Sequence, residues 1–322
     1  MQKRLFNVLF FLCLIIITGC NRAENTSAIP DKTQLVVVTS FYPVYISTIN
    51  ITKDVPDVKV INLTEPFTGC LHNYALTADN MKTIATADIF VVNGAGMENF
   101  LDKVIKEQSD LNIVDASKGI ELIKEEHHHK HDEKSHEEDE HEKEHESHEC
   151  THEEGNPHVW LSISNLIKQV DNIEKGLSQN DPSHKELYRK NADAYIEKLG
   201  KLKDEMDSEI KDIKDRNIIT FHEAFPYFAK DFGLNILAVI EREPGTEPNA
   251  KELAETIEII RKHKVKALFA EPQYSSKSAD VISKETGLKV FILDPAATGP
   301  MEYDAYINIM KNNIKVIKEA LK

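Results

Sequence analysis

The sequence predicts an α/β protein of two four-stranded α/β domains joined by one long rigid helix. Three observations carry the prediction. Short β-branched runs alternate with helical segments of about ten residues in both halves of the chain, the pattern of βαβ units around a parallel sheet. An apolar stripe at helical spacing runs without a break through the middle. The 322 residues suit two domains, since at roughly 150 residues each can bury its own core.

Taken in order, Leu35-Val36-Val37-Val38-Thr39 reads as a buried strand, followed by a helix from Val44 to about Lys53 and a strand over Val58–Leu63. The next helix, Thr77–Ala87, opens on Thr77 as N-cap and carries Met81, Ile84 and Ala85 on one face. Ile89–Asn93 is a third strand and Glu98–Gln108 a helix. Residues 121–154 then break the pattern. They hold fifteen Asp or Glu against four Lys, with no apolar periodicity, and read as a disordered loop within an N-terminal domain of residues 33–180. Trp160–Leu177 resumes as a helix.

Asn180-Asp181-Pro182 is a helix start signal, with Asp181 as N-cap and Pro182 at the first helical position. From there Tyr188, Ala192, Tyr195, Leu199, Leu202, Met206, Ile210 and Ile213 step by threes and fours. One helix over 181–214, about 33 residues, spans about 50 Å. That outlasts a small domain, so the helix bridges two, despite Gly200 costing roughly 1 kcal/mol. In residues 215–322 the alternation returns. Asn217–Thr220, Asn235–Ile240, Val265–Ala270 and Leu288–Leu293 are strands, and Glu223–Asp231, Pro248–His263, Ser275–Thr286 and Tyr303–Leu321 are helices.

The formal net charge of −15 argues against a nucleic-acid partner, which needs a basic footprint. About −11 of it lies in residues 121–154, leaving an ordinary balance elsewhere. At the N-terminus, Lys3 and Arg4 precede the apolar run Leu5–Ile17, whose thirteen residues fall short of the length that spans a bilayer. The run ends in Ile17-Thr18-Gly19-Cys20, which resembles the lipobox of bacterial lipoproteins. Residues 1–20 are therefore expected to be a signal peptide, Cys20 the lipidated residue, and 21–32 a flexible tether. The rest of the chain is expected to face outward from the membrane. Cys70 and Cys150 remain. They pair, as exported thiols do, or contact metal, since Cys70 lies two residues before His72 and Cys150 ends the histidine-rich stretch.

Nine of the fourteen histidines sit in the acidic loop: His127, His128, His129, His131, His136, His141, His145, His148 and His152. Of the other five, His184 and His263 fall near the ends of exposed helices and read as solvated. His72, His158 and His222 share another context. His72 follows a strand and the turn Pro66–Gly69, His158 stands in Asn156-Pro157-His158-Val159-Trp160 ahead of a helix, and His222 directly follows a strand in Thr220-Phe221-His222-Glu223. In open α/β sheets ligands bind outside the carboxyl ends of the strands. Three imidazoles delivered there, two from one half and one from the other, point to a metal site in the cleft between domains. Imidazole suits zinc, copper, nickel and iron, whereas manganese and magnesium favour carboxylates. Three nitrogens and one oxygen or water make a tetrahedral zinc site. Asp294, at the end of a strand, is the first carboxylate candidate and Glu271 the second.

On these residues the chain resembles the zinc-binding lipoproteins that serve ABC importers, the cluster A-I metal-binding group. The matching stretches are Gly69–Tyr74 with Thr77-Ala78-Asp79, Ala87-Asp88-Ile89 with Asn93-Gly94-Ala95-Gly96-Met97-Glu98, Asn156–Leu161, Phe221–Gly233, and Phe269-Ala270-Glu271-Pro272-Gln273 with Leu293-Asp294-Pro295. The resemblance implies two similar domains on a rigid helix with metal between them, and ligand roles for His72, His158 and His222. It implies Zn2+ as the transported ligand, an ABC permease and its ATPase as partners, and a monomer anchored to the bilayer through Cys20. In the manganese-binding branch the third position is a carboxylate, so histidine at 222 points to zinc. Some zinc members carry a glutamate immediately before the first histidine, where this chain has Leu71; water or Asp294 then fills the fourth place, with Cys70 an outside candidate. The acidic loop, at the place where zinc members carry theirs, is expected to hold many weak zinc sites.

Other classes fit less well. A catalytic zinc would share the three histidines, with Glu223 or Glu271 as base, but the chain has no His-Glu-x-x-His run and no nucleophile motif, so no enzyme is expected. Gly94-Ala95-Gly96 lacks the third glycine of a dinucleotide fingerprint. A cell-surface zinc buffer or adhesin remains the alternative.

Overall fold

The computed structural model describes residues 34–64, 70–71, 74–101, 104, 110–124, 155–240, 248–272 and 277–322. The expected export signal with Cys20, the expected tether, His72 and all nine histidines of the acidic stretch lie outside them, as does most of the helix expected over 98–108, of which a 3-10 turn at Asn99–Leu101 is described.

Among the described residues, eight strands form two parallel sheets. β1 (Leu35–Thr39), β2 (Val58–Asn62), β3 (Ile89–Val92) and β4 (Asn112–Asp115) lie in the order β2-β1-β3-β4. β5 (Asn217–Thr220), β6 (Asn235–Val239), β7 (Ala267–Ala270) and β8 (Lys289–Ile292) repeat it as β6-β5-β7-β8. β3 and β7 are buried along their whole length, so they carry unbroken apolar runs. The sequence pattern yields only three strands in the first half. The fourth, β4, escapes it because Val114 is its one buried residue beside an exposed Ile113, and a single inward position has no period.

The described helices are α1 (Tyr42–Ile51), α2 (Ala78–Ala85), α3 (Ile163–Asn180), α4 (Lys185–Ile210), α5 (Pro226–Phe232), α6 (Ala250–His263), α7 (Lys277–Thr286) and α8 (Ala305–Leu321). Thr77 caps α2 as expected. Its Oγ accepts the Asn80 N–H at 3.1 Å and the Asn80 side chain accepts the Thr77 N–H at 2.9 Å.

The long helix is shorter than its stripe suggests, with 26 residues and a length of about 39 Å. At its start a separate 3-10 turn, Pro182–His184, follows Asp181, whose carboxylate accepts the Tyr188 hydroxyl at 2.7 Å and meets His184 Nδ1 at 2.6 Å. His184 is thus partly buried against a carboxylate rather than solvated, whereas His263 is exposed. At the other end Arg216 stops the helix. Its guanidinium donates to the Ile210, Ile213 and Phe232 carbonyls, satisfying the last turn and drawing the chain into β5.

The buried stripe of α4 belongs to one hydrophobic core that continues through both lobes, from Val37 and Trp160 in the first to Ile218, Phe269 and Leu293 in the second. Polar bonds stitch the same junction. Trp160 Nε1 donates to the Pro295 carbonyl at 2.8 Å, Tyr306 donates to the Trp160 carbonyl at 2.7 Å, Tyr42 donates to the Pro300 carbonyl at 2.9 Å and Asn50 Nδ2 to the Tyr303 carbonyl at 2.9 Å.

Gly299 sits at this junction with φ +151°, and a Cβ there would lie 2.5 Å from the Tyr42 hydroxyl. Gly299→Ala should therefore destabilise the protein by about 2–4 kcal/mol through backbone strain and overpacking. In a thermal melt that is a fall of roughly 5–10 °C. Gly200→Ala, where nothing lies within 4 Å of an added Cβ on α4, should instead stabilise, by about 0.5–1 kcal/mol.

Candidate metal centre

His222 is placed by β5. The strand's last residues are fully buried, and the Phe221 N–H donates to the Phe269 carbonyl at 3.0 Å, which carries the sheet register one residue past β5. The next residue, His222, emerges at the carboxyl edge between β5 and β7, where the strand order reverses. It is 2% exposed. Glu271 follows β7 at the same edge, and His222 Nδ1 lies 3.0 Å from Glu271 Oε1.

His158 is placed by a tight run of backbone. Gly155 has φ +89°, and a side chain there would meet the Ile123 carbonyl, so glycine is required. Asn156 then organises the turn. Its Nδ2 donates to the Glu223 carbonyl at 2.7 Å, which leaves its Oδ1 to accept the His158 backbone N–H and to face His158 Nδ1, both at 3.0 Å. Trp160, fully buried, anchors the far side of the loop. Because Asn156 belongs to the first lobe and Glu223 to the second, the two histidine-bearing loops are tied to each other.

Both partners of the Nδ1 atoms are acceptors. A neutral ring facing such an acceptor keeps its proton on Nδ1 and leaves Nε2 for a metal, the arrangement by which outer partners prepare histidines for metal. The rings stand edge to face, with centroids 5.0 Å apart. Cys70 joins them, with one ligand atom from each of Cys70, His158 and His222 lying within 4.8 Å of the others. Cys70 is half-buried against the main core, beside Leu71, which is fully buried and accepts the Tyr74 N–H at 3.0 Å.

The structure thus brings together two of the sequence-predicted ligands and the outside candidate. Asp294 is not in the group. It follows β8, and its Oδ1 accepts the Ala296 N–H at 2.8 Å within its own turn. Glu271 stands behind His222. Burial pushes its carboxyl up from the usual range, against the hydrogen bond to His222, and the charge of nearby Asp294 pushes the same way. Glu271 Oε2 is buried with no hydrogen-bond partner among the described residues. The orienting role of Asn156 escapes a reading of the sequence, though an Asn two residues before a candidate ligand, across a proline, is the pattern that marks such a turn.

Behind His158, Glu98 braces the first lobe. It is 6% exposed. Its carboxylate accepts the Ser40 hydroxyl at 2.7 Å and the Asn93 and Gly94 backbone N–H groups at 2.6 and 3.0 Å, while Asn93 Nδ2 donates to the Pro157 carbonyl at 3.1 Å.

Two parallel-sheet lobes on a shared core, with imidazole and thiol groups converging where they meet, define a two-lobed metal-binding protein of the solute-binding kind. The chain belongs to the family of the zinc-uptake complex component A, periplasmic, whose model matches residues 37–320. That is a family of transport components, not of enzymes. The chain is 35% identical over 320 residues to the high-affinity zinc uptake system protein ZnuA of Bacillus subtilis, a match covering 96% of this chain and 95% of that protein. It is 31% identical over 330 residues to the zinc-binding lipoprotein AdcA of Streptococcus pneumoniae, covering 99% of this chain but 61% of that longer protein. Among solved structures it resembles Zn(II)-bound AdcA from Streptococcus pneumoniae, with a TM-score of 0.72 and 32% identity over 89% of this chain and 58% of that one. It also resembles the solute-binding protein FpvC of Pseudomonas aeruginosa in complex with Mn2+, with a TM-score of 0.73 and 27% identity over 89% of this chain and 98% of that one.

Burial raises the Glu98 carboxyl from 4.5 to about 7, against the lowering effect of Ser40, Asn93 and Gly94. The folded state therefore holds this proton more tightly than the unfolded chain. The contribution is complete below pH 4.5 and is lost as the pH rises through about 7. The stability of the wild type relative to Glu98→Gln, followed by denaturant unfolding of the metal-free protein, should fall across that window. The variant should also be less stable overall by about 1–3 kcal/mol, because an amide NH2 cannot accept the Gly94 N–H.

Proposed function

We propose that this protein captures zinc outside the cytoplasm and hands it to an ABC-type membrane permease driven by an ATPase. The single observation that carries this is the pair of buried imidazoles, one from each lobe, whose Nδ1 atoms face Asn156 and Glu271 and which, with Cys70, each bring one ligand atom within 4.8 Å of the others. Family membership and the likeness to zinc-bound relatives support the choice of metal. His72, His158 and His222 are the imidazole ligands. Asp294 acts from the outer shell, through its charge on Glu271. Residues 33–180 and 215–322 form the two lobes on the 181–214 connector, lipid on Cys20 holds the monomer at the outer face of the membrane, and the loop histidines from His127 to His152 concentrate zinc weakly near the cleft.

Metal analysis of untagged protein should find zinc, and calorimetry one tight site. His222→Ala should weaken that site by more than about 100-fold, beyond the loss typical of outer partners. Deleting residues 125–153 should leave it intact and remove only weak binding. Persistence of the tight site in His222→Ala would sink the reading.

Glu271→Ala removes the group that orients His222, and zinc affinity measured against a competing chelator should drop by about 10–100-fold. Glu271→Gln, which still accepts the Nδ1–H, should lose less.

The likeness to a laminin-binding adhesin of Streptococcus agalactiae, at a TM-score of 0.72 and 29% identity, keeps a surface adhesin or zinc buffer as the second reading. Zinc uptake by starved cells lacking the protein separates the two, because an adhesin or buffer leaves uptake unchanged.

A further inference from the structure

We infer that the Cys70 thiolate is a direct ligand of the metal, making the centre a mixed sulfur–nitrogen site that favours thiophilic divalent ions over hard ones such as manganese. The inference rests on the reading that the cleft binds a divalent metal, and it specifies which class of metal the cleft selects.

Among the described residues, the one group of side chains able to share an ion is Cys70, His158 and His222, with ligand atoms no more than 4.8 Å apart. In a tetrahedral zinc site, nitrogen and sulfur ligands stand roughly 3.3–3.6 Å from one another, given Zn–N near 2.0–2.1 Å and Zn–S near 2.3 Å. Bringing this spacing onto an ion takes about an ångström, a side-chain adjustment rather than a change of fold. Carboxylates are available nearby but are not gathered. Asp294 accepts a backbone N–H in its own turn, and Glu271 holds the far side of the His222 ring.

Glu271 Oε2, on the far side of the His222 ring, is buried with no hydrogen-bond partner among the described residues. The thiol proton passes to solvent as the sulfur–metal bond forms. Soft sulfur ligands select zinc, cadmium and copper(I), whereas manganese prefers oxygen, so one cysteine shifts the preference of the whole centre.

The test uses the full chain, reduced, stripped of metal and loaded with one equivalent of Co(II). The wild type should show an intense near-ultraviolet sulfur-to-cobalt charge-transfer band. Cys150→Ser should keep it. Cys70→Ser and Cys70→Ala should lose it while retaining the visible ligand-field bands of cobalt on imidazole. In competition experiments the preference for zinc over manganese should fall at least about tenfold in Cys70→Ser. Cobalt bound one per chain in the wild type without the sulfur band, or a band that survives both Cys70 substitutions, would overturn the thiolate ligand while leaving the metal site standing. A wild type that takes up neither zinc nor cobalt would overturn both. The wild-type spectrum decides even if a variant fails to fold.

Discussion

Two imidazoles can face one ion only if something else holds their far nitrogens, and that constraint organises the centre. The two holders differ in kind. Asn156 is a neutral amide that fixes His158 and, through its other end, the backbone of Glu223 in the opposite lobe. Glu271 is buried, so its bond to His222 is made away from solvent, where a hydrogen bond is stronger than at the surface. The first partner supplies geometry. The second supplies geometry and a buried carboxyl oxygen, Oε2, with no hydrogen-bond partner among the described residues.

That arrangement survives because the lobes do not have separate cores. Trp160 packs edge-on against Phe41 at 5.2 Å, donates to Pro295 and accepts from Tyr306. It stands two residues from His158, so the residue that locks the lobes together also sets where one ligand points. The stripe of α4 packs against α1 and α3 of the first lobe and α8 of the second, and so joins their cores. Ligand position and lobe packing are therefore one structural problem.

Much of this was legible in the sequence, for reasons that differ by element. The central strands announce themselves because burial on both faces demands unbroken apolar runs, as in β3 and β7. β4 does not, because only Val114 points inward. The long helix was legible as a stripe, but its end was set by Arg216 reaching back to the Ile210 carbonyl, a contact that no period encodes. His158 and His222 could be picked out from their places before a helix and after a strand. The roles of Asn156 and Glu271 could not, because each depends on a partner supplied by folding, and Glu271 lies 49 residues from the histidine it orients. Cys70 ranked below Asp294 for the same reason. Both follow strands, and only the packing of Leu71 and the turn at Asp294 separate a thiol brought to the cluster from a carboxylate kept out of it.

The shared core also constrains how a metal could leave. A nanomolar site is worth about 12 kcal/mol. Prising the lobes apart would break the hydrogen bonds that Trp160, Tyr306, Tyr42, Asn50 and Asn156 make across the junction, at about 1 kcal/mol each, and expose several aromatic side chains at about 2–3 kcal/mol each. Opening the whole molecule therefore costs about as much as the metal itself, and a docked importer would have to supply both. Withdrawing one ligand by an ångström or two costs far less, because coordination falls off steeply with distance while the core stays packed. His158 and His222 are poor choices for that ligand, since the Asn156–Glu223 bond makes them move together. Release is then most economical if it is local and one-sided, with the paired imidazoles standing still and the ligand opposite them moving away.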